Sequence, residues 1–306
     1  MRTTCVNQIL GACTGREDIF VISGDAGLGV FDEFKEKFPD RFLNLGVAEQ
    51  NTISFAAGLS LSGFKVYVYN IIPFLLYRCY EQVRNDICYQ RLPVTLVGIG
   101  SGVTYAPQGM THYAVEDLGI ARTLPNLTVF SPCDPIEAKL AAEFSLGCRE
   151  PVYIRIAKKG EPKVHANDYF DIRVPQVIED GKDVCILFHG SIASEAFKAR
   201  ALLERKGIHA KLVSIPMIQP LPANELFDLL IDMKYVFTVE EHFVNIGMGN
   251  ALRNEVARRA PAWRLYNLGI SDKFIHEVKD LDAMRDYFWL SAAKIAEYIE
   301  NFLSAG

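Results

Sequence analysis

The chain has 306 residues, with 32 Lys+Arg against 37 Asp+Glu for a net charge of −5, and half of it is hydrophobic. That apolar share excludes a disordered chain, and the mildly acidic balance gives no electrostatic reason for nucleic acid or an anionic membrane as partner. At roughly 100–200 residues per domain the length predicts two domains, each able to bury its own core.

Apolar β-branched runs alternate with helical patterns along nearly the whole chain. Strands are predicted at Ile19–Ser23, Lys65–Tyr69, Val94–Ile99, Leu127–Phe130 and Val152–Ile156, then at Val184–Phe188, Ala210–Ser214, Tyr235–Val239 and Arg264–Tyr266. Helical spacing falls at Val47–Leu61, Phe74–Gln90, Pro135–Leu146, Ile192–Lys206, Ala223–Asp232, Gly249–Ala260 and from about Asp282 to Phe302. This alternation predicts an α/β fold of two domains, each a mostly parallel sheet flanked by helices. Lys158 to Lys182 breaks the rhythm with Pro162, Pro175 and mixed charges. The reading is therefore a first domain at 1–158, a linker at 159–182 and a second domain at 183–306.

The seven cysteines form no CxxC pair and read as reduced, mostly buried thiols. The amino-terminal stretch has no apolar core of a secretory signal. The longest apolar run, Val66 to Tyr77, is interrupted by Asn70 and Pro73 and is too short to span a membrane. A cytoplasmic location is expected.

Ligands of open parallel sheets sit beyond the carboxyl ends of the strands, so the loops that leave the strands carry the candidate chemistry. Ser23 to Gly29 follows the first strand but fits neither GxGxxG nor a P-loop, and by spacing it is a tight strand-exit turn. Asn44-Leu45-Gly46-Val47-Ala48-Glu49-Gln50-Asn51 leads into an Ala/Gly-rich helix that is apolar nearly all round and is expected to be buried. A carboxylate at the head of such a helix must find a donor or keep its proton, and apolar surroundings would raise its pKa. Phe74, Tyr77 and Tyr80 share one helix face, as core or as a wall for a flat ring. Gly98 to His112 is a long Gly-rich loop ending in a histidine. The six histidines are dispersed, with no metal-ligand spacing and no G-x-S-x-G elbow. Spacing alone names no reaction.

Taken in order, these stretches resemble the transketolase family over its pyrimidine-binding and C-terminal domains. The resemblance rests on Arg41 to Asn51, Ala56-Ala57-Gly58-Leu59, the aromatic helix, and Gly109-Met110-Thr111-His112 with Glu116-Asp117. It continues through Leu124 to Val129 and Thr238-Val239-Glu240-Glu241-His242. It implies a thiamine-diphosphate cofactor. Glu49 would hydrogen-bond the aminopyrimidine and favour the imino tautomer that deprotonates the thiazolium. Phe74, Tyr77 and Tyr80 would pack around the pyrimidine, Asp25 would lie near the cofactor, and His112 would contact substrate. Gln108 stands where familiar members have an Asp that reads a substrate hydroxyl. Arg78 and Arg155 resemble sugar-phosphate ligands, since guanidinium matches phosphate bidentately.

No Gly-Asp-Gly occurs in the 306 residues. In this family that stretch holds Mg²⁺ and the diphosphate, so the resemblance implies a separate diphosphate-binding subunit that supplies Mg²⁺. The expected assembly is an α₂β₂ heterotetramer acting on sugar phosphates. Alternatives are a subunit like deoxyxylulose-phosphate synthase or the 2-oxo-acid dehydrogenase beta chain, or a non-catalytic paralogue.

Overall fold

The computed structural model describes residues 1–27, 29–158 and 160–304, so Leu28 of the first loop and Lys159 lie outside the described residues. Its strands are β1 (Ile19–Ser23), β2 (Phe42–Asn44), β3 (Lys65–Ile71), β4 (Val94–Ile99), β5 (Thr128–Phe130) and β6 (Val152–Ile156). They continue as β7 (Gln176–Glu179), β8 (Val184–Phe188), β9 (Ala210–Ser214), β10 (Met217–Gln219), β11 (Tyr235–Phe243) and β12 (Arg264–Ile270). One sheet has the order β10-β5-β6-β4-β3-β1-β2 and the other β12-β11-β8-β9-β7. Within the first, β1 to β6 run parallel, and within the second β8, β9, β11 and β12 do.

The central strands β4, β6 and β8 are buried at every position. Near-continuous Val, Ile and Leu runs suit a parallel sheet covered by helices on both faces. Each fully buried side chain of this kind contributes roughly 1.5–3 kcal/mol.

Three strands escape the sequence pattern. The edge strand β2 is too short to show a period. In the stretch expected to be a bare linker, β7 pairs antiparallel with β9. From the second half of the chain, β10 crosses to the first sheet and pairs antiparallel with β5, Met217 opposite Phe130. The division at residue 182 therefore cuts through shared sheet structure. An unexpected first helix, Arg2–Cys13, buries Cys5, Val6, Ile9 and Cys13 on one face. All seven cysteines are free thiols, six of them buried. Among the described residues no helix is long and apolar enough to cross a membrane.

Two helices near the first sheet differ from expectation in ways that shape its edge. Helix Glu49–Leu61 starts two residues later than predicted and buries only one face, through Thr52, Ile53, Ala56, Ala57 and Ser60. Phe55 and Leu61 are exposed, as is Val47 before it, so the expectation of a wholly buried helix is corrected. The predicted helix Phe74–Gln90 is instead two π-turns, Pro73–Tyr77 and Val83–Cys88, around a short α segment. Arg78 N donates to Pro73 O and Tyr89 N to Arg84 O, both five residues back. Such π segments are frequent at functional sites because they re-aim side chains.

Candidate active site at the carboxyl edge of the first sheet

The chain leaves β1 at Gly24, where a side-chain Cβ would stand 2.6 Å from Asn70 Nδ2 at the end of β3. Only glycine lets the two strand ends approach this closely. Asp25 follows, exposed at the start of the 3₁₀ turn Asp25–Gly27, and its Oδ1 faces Gly46 across the edge. Beyond β2, Gly46 adopts φ +63°, and its N–H donates to Asn44 Oδ1 at 2.8 Å. This left-handed turn delivers Glu49 to the head of its helix.

Glu49 is 7% exposed, and Arg78 Nη1 donates to its Oε2 at 2.7 Å. Of the two outcomes open to a carboxylate in this place, the structure supplies the donor. The pair holds Arg78, whose side chain is 46% exposed, away from the role of a free phosphate clamp. The guanidinium lies 4.7 Å from the centroid of Phe74, a cation–π contact. The π-turns then send the three aromatic side chains to three partners. Phe74 meets the His112 ring edge-on at 5.3 Å, Tyr77 donates its phenol to Glu116 Oε2 at 3.0 Å, and Tyr80 pairs with Thr123 Oγ1 at 2.8 Å. Burial holds the Tyr77 phenol well above its ordinary pKa, and the neighbouring Asp117 and Glu116 push the same way. The carboxyl of Glu116 is also raised, by burial first, against the opposing hydrogen bond from Tyr77.

After β4, Gly100, Gly102 and Gly109 all have positive φ, which bends the long loop back over the edge. Its histidine is partly buried between Phe74 and Tyr105, with Nδ1 2.9 Å from Thr111 Oγ1. Burial lowers the pKa of His112, and the Lys158 ammonium lowers it further, so the ring is neutral at pH 7. Gln108 is exposed at the end of the turn Ala106–Gln108.

Lys158 is a site residue that the sequence pattern does not single out. It sits where the chain leaves β6, with Nζ 4.6 Å from the Tyr105 ring centroid. The Arg2 charge offsets part of the rise that burial imposes on the Tyr105 phenol. The only sequence signal for Lys158 is its place just past a predicted strand. For Arg2 there is none.

Arg155 is corrected outright. It is 1% exposed, with Nε donating to Asp117 Oδ2 at 2.8 Å and Nη2 to the carbonyls of Ala114 at 2.9 Å and Glu241 at 3.2 Å. Tyr153 donates to the same Asp117 oxygen at 2.8 Å. A guanidinium this buried, with its donors spent inside the protein, does not reach a substrate phosphate; it ties the two domains together.

The structure thus gathers Glu49, Arg78, Phe74, His112, Tyr105 and Lys158 along one edge, with Asp25, Tyr77, Tyr80 and Gln108 around them. Fold and edge define a two-domain α/β protein whose first sheet collects the accessible ionisable and aromatic groups. Residues 1–162 match the transketolase pyrimidine-binding domain and residues 175–295 the transketolase C-terminal domain. The chain belongs to the transketolase family. It is 34% identical to one subunit of the apulose-4-phosphate transketolase of Actinobacillus succinogenes, over 95% of this chain and 94% of that one. It is 31% identical to 1-deoxy-D-xylulose-5-phosphate synthase of Dictyoglomus turgidum, over 88% of this chain but 44% of that protein. Among solved structures, a split gene transketolase described as an inactive β4 tetramer superposes with TM-score 0.89 at 29% identity, covering 99% of this chain and 98% of that one.

Proposed function

We propose that the chain is the pyrimidine-side catalytic subunit of a two-chain transketolase. It would transfer a two-carbon ketol unit from a ketose phosphate to an aldose. The observation that carries this reading is the Glu49 carboxylate, buried at a helix head on the same strand-end edge as Phe74, Tyr77 and Tyr80. This donor set fits an aminopyrimidine: a carboxylate for its ring nitrogen and aromatic faces for its plane. Thiamine diphosphate, when bound, supplies the nucleophilic carbon of the reaction.

The chain's own residues have separable tasks. Glu49 holds or releases a proton at its free oxygen, while Arg78 orients the carboxylate through the other. Phe74 and Tyr77 exclude water from the ring's face, and the Tyr77–Glu116 hydrogen bond fixes that wall. Neutral His112, its Nδ1 engaged with Thr111, presents Nε2 to a substrate hydroxyl. Gln108 reads a second hydroxyl from the exposed turn, and Asp25 faces the cofactor from the β1 side. Lys158 and Arg2 make the cationic rim for an anionic sugar substituent, the part for which Arg155 is buried too deeply.

A partner subunit would hold the diphosphate and Mg²⁺, in an α₂β₂ assembly in the cytoplasm. Support comes from a relative that is named as one subunit of a transketolase and matches along 94% of its length, and from exposed apolar Val47, Phe55, Leu61 and Tyr89. The test is reconstitution with a chain that carries Gly-Asp-Gly. Glu49→Ala should then lower kcat by roughly 10²–10⁴ at saturating cofactor, the usual range for a positioned proton-transfer group. Near-normal turnover by the variant defeats the assignment of Glu49, and full turnover by the chain alone defeats the two-chain reading. Pyruvate consumption with an aldose phosphate would move the reading to a synthase.

A further inference from the structure

A second polar cluster lies where the segment between the domains crosses the start of helix Pro135–Gly147. Asp134 caps this helix, its Oδ1 accepting from Glu137 N at 2.9 Å and its Oδ2 from Val164 N at 2.9 Å and His165 N at 3.1 Å. Glu137 reaches back, its Oε2 accepting from Cys133 N at 2.7 Å, and its Oε1 accepts from Ser214 Oγ at 2.6 Å. This arrangement is a variant of the capping box in which Glu137 reaches one residue past the N-cap, and it accounts for both carboxylates. It accounts for neither Cys133 nor His165.

His165 is 7% exposed, and its ring stacks on Phe170 at 4.6 Å. Nδ1 lies 3.1 Å from Asp134 Oδ2 and Nε2 lies 3.4 Å from Glu137 Oε1, yet neither nitrogen makes a well-directed hydrogen bond. A buried imidazole without such a bond is unusual. Cys133 Sγ, a Glu137 carboxylate oxygen and a His165 ring nitrogen lie within 4.8 Å of one another. The Cys133 sulfur accepts from Ser214 Oγ at 3.4 Å and sits at the border of the apolar core, beside the carboxylate and the imidazole.

We propose that Cys133, Glu137 and His165 bind a zinc ion. Thiolate, imidazole and carboxylate are the ligand types zinc takes in tetrahedral sites, at roughly 2.0–2.3 Å each. Those bonds set ligand atoms roughly 3.3–3.8 Å apart, so modest side-chain rotations close the cluster. Nε2 is the nitrogen that ligates, because Nδ1–H is left to point at Asp134, the carboxylate partner that a zinc-bound histidine commonly has. Cys133 also lines a cavity of about 60 Å³ with Thr104, Ser191 and Arg285. On binding, the Cys133 S–H proton leaves to solvent as the S–Zn bond forms. The ion would clasp the interdomain segment to the exit of β5 and, through Ser214 on Glu137, to β9.

The experiment uses the full chain, stripped with a chelator and titrated with Co²⁺ as a spectroscopic substitute and with Zn²⁺ itself. One equivalent should bind, the cobalt form showing a thiolate-to-metal charge-transfer band and intense tetrahedral d–d bands. Cys133→Ser should remove the charge-transfer band and His165→Gln should abolish stoichiometric binding. Asp134→Asn, which keeps the helix cap, should weaken binding by roughly 10–100-fold. Circular dichroism establishes that each variant is folded, and the unmutated chain's own cobalt spectrum tests the proposal if one is not. If the stripped chain takes up no stoichiometric metal, the cluster is an imidazolium held by two carboxylates and the proposal fails. It fails equally if the cobalt spectrum survives Cys133→Ser unchanged.

Discussion

At the carboxyl end of the first sheet Arg78, His112 and Lys158 stay at least partly accessible, whereas the acidic stretch at the carboxyl end of β11 in the second is sealed. Glu49 pairs with a half-exposed Arg78, and His112 and Lys158 stand partly open beside it. Past the middle of β11, by contrast, Glu240, Glu241 and His242 are at most 1% exposed and fully engaged. Glu240 accepts from the N–H groups of Met248 at 2.8 Å and Gly249 at 2.9 Å, which caps helix Met248–Arg259. Glu241 accepts from Ser191 Oγ at 2.7 Å and from the Arg285 guanidinium. His242 Nε2 accepts from Leu118 N at 3.1 Å, which leaves the proton on Nδ1, facing Phe243 O. Both edges obey the same topology, and both carry stretches that identify the family. A strand-end position marks where a site can form; unspent hydrogen-bonding capacity marks where one does.

The sharpest way to break this contrast is at Arg155, which the sequence suggests as a ligand and which lies sealed on β6 of the first sheet against Glu241 of β11. Arg155→Met leaves Asp117 charged and unpaired, both partners being at most 1% exposed. The expected loss is about 3–5 kcal/mol by urea denaturation, the range for one-sided removal of a buried pair. A loss below ~1 kcal/mol, with weaker substrate binding instead, would return Arg155 to the site.

A smaller effect is expected at Glu240. Burial alone would raise its pKa, but the His189 ring, the nearby His242 and the Gly249 N–H outweigh burial and hold it below the ordinary value. Because the folded pKa is depressed, the stability it brings is complete above the unfolded value of about 4.3 and is lost as pH falls through the folded one. Glu240→Gln should cost about 1–3 kcal/mol at pH 7 and flatten that acid limb. An unchanged limb would show that the charge on Glu240 does no structural work.

What could be read in advance follows the range of the interactions. Glu49 was legible because its turn, its helix and its own carboxylate are neighbours in sequence. The aromatic stripe was legible as spacing, but not its direction, since a 3.6-residue period cannot show the i→i+5 bonds of Arg78 and Tyr89. Arg155 was misread because its partner Asp117 is 38 residues away, and only the fold brings the two together. The strand β10 was illegible for a related reason: three residues carry no period, and their pairing with β5 is settled by the packing of one domain on the other. Helix Glu49–Leu61 reads as buried all round by composition alone, yet its second face leaves Phe55 and Leu61 exposed and makes only polar contacts, Gln50 to Arg78 O and Ser54 to Asp86.

At the accessible edge, removal of one ion should cost little. Arg78→Met should change stability by no more than about 1 kcal/mol, because its side chain is nearly half exposed and water screens the pair. The same substitution frees both Glu49 oxygens. A stability loss as large as that of Arg155→Met would place Arg78 with the sealed residues and erase the difference between the edges.

The finest test follows a single proton. The pKa of His112 is lowered by burial first and by Lys158 second. His242 is lowered by burial too, but it faces Asp117, Glu240 and Arg155 and is fully enclosed. Lys158→Met should therefore raise the His112 pKa toward 6.5, seen by NMR titration of the imidazole C2 proton, and leave His242 where it is. Added salt should narrow the His112 shift, since a charge open to solvent is screened over about 10 Å at 0.1 M, and should not move His242. If His112 ignores both the substitution and the salt, its ring does not sense the Lys158 charge. The cationic rim proposed for the substrate would then have to rest on Arg2 alone.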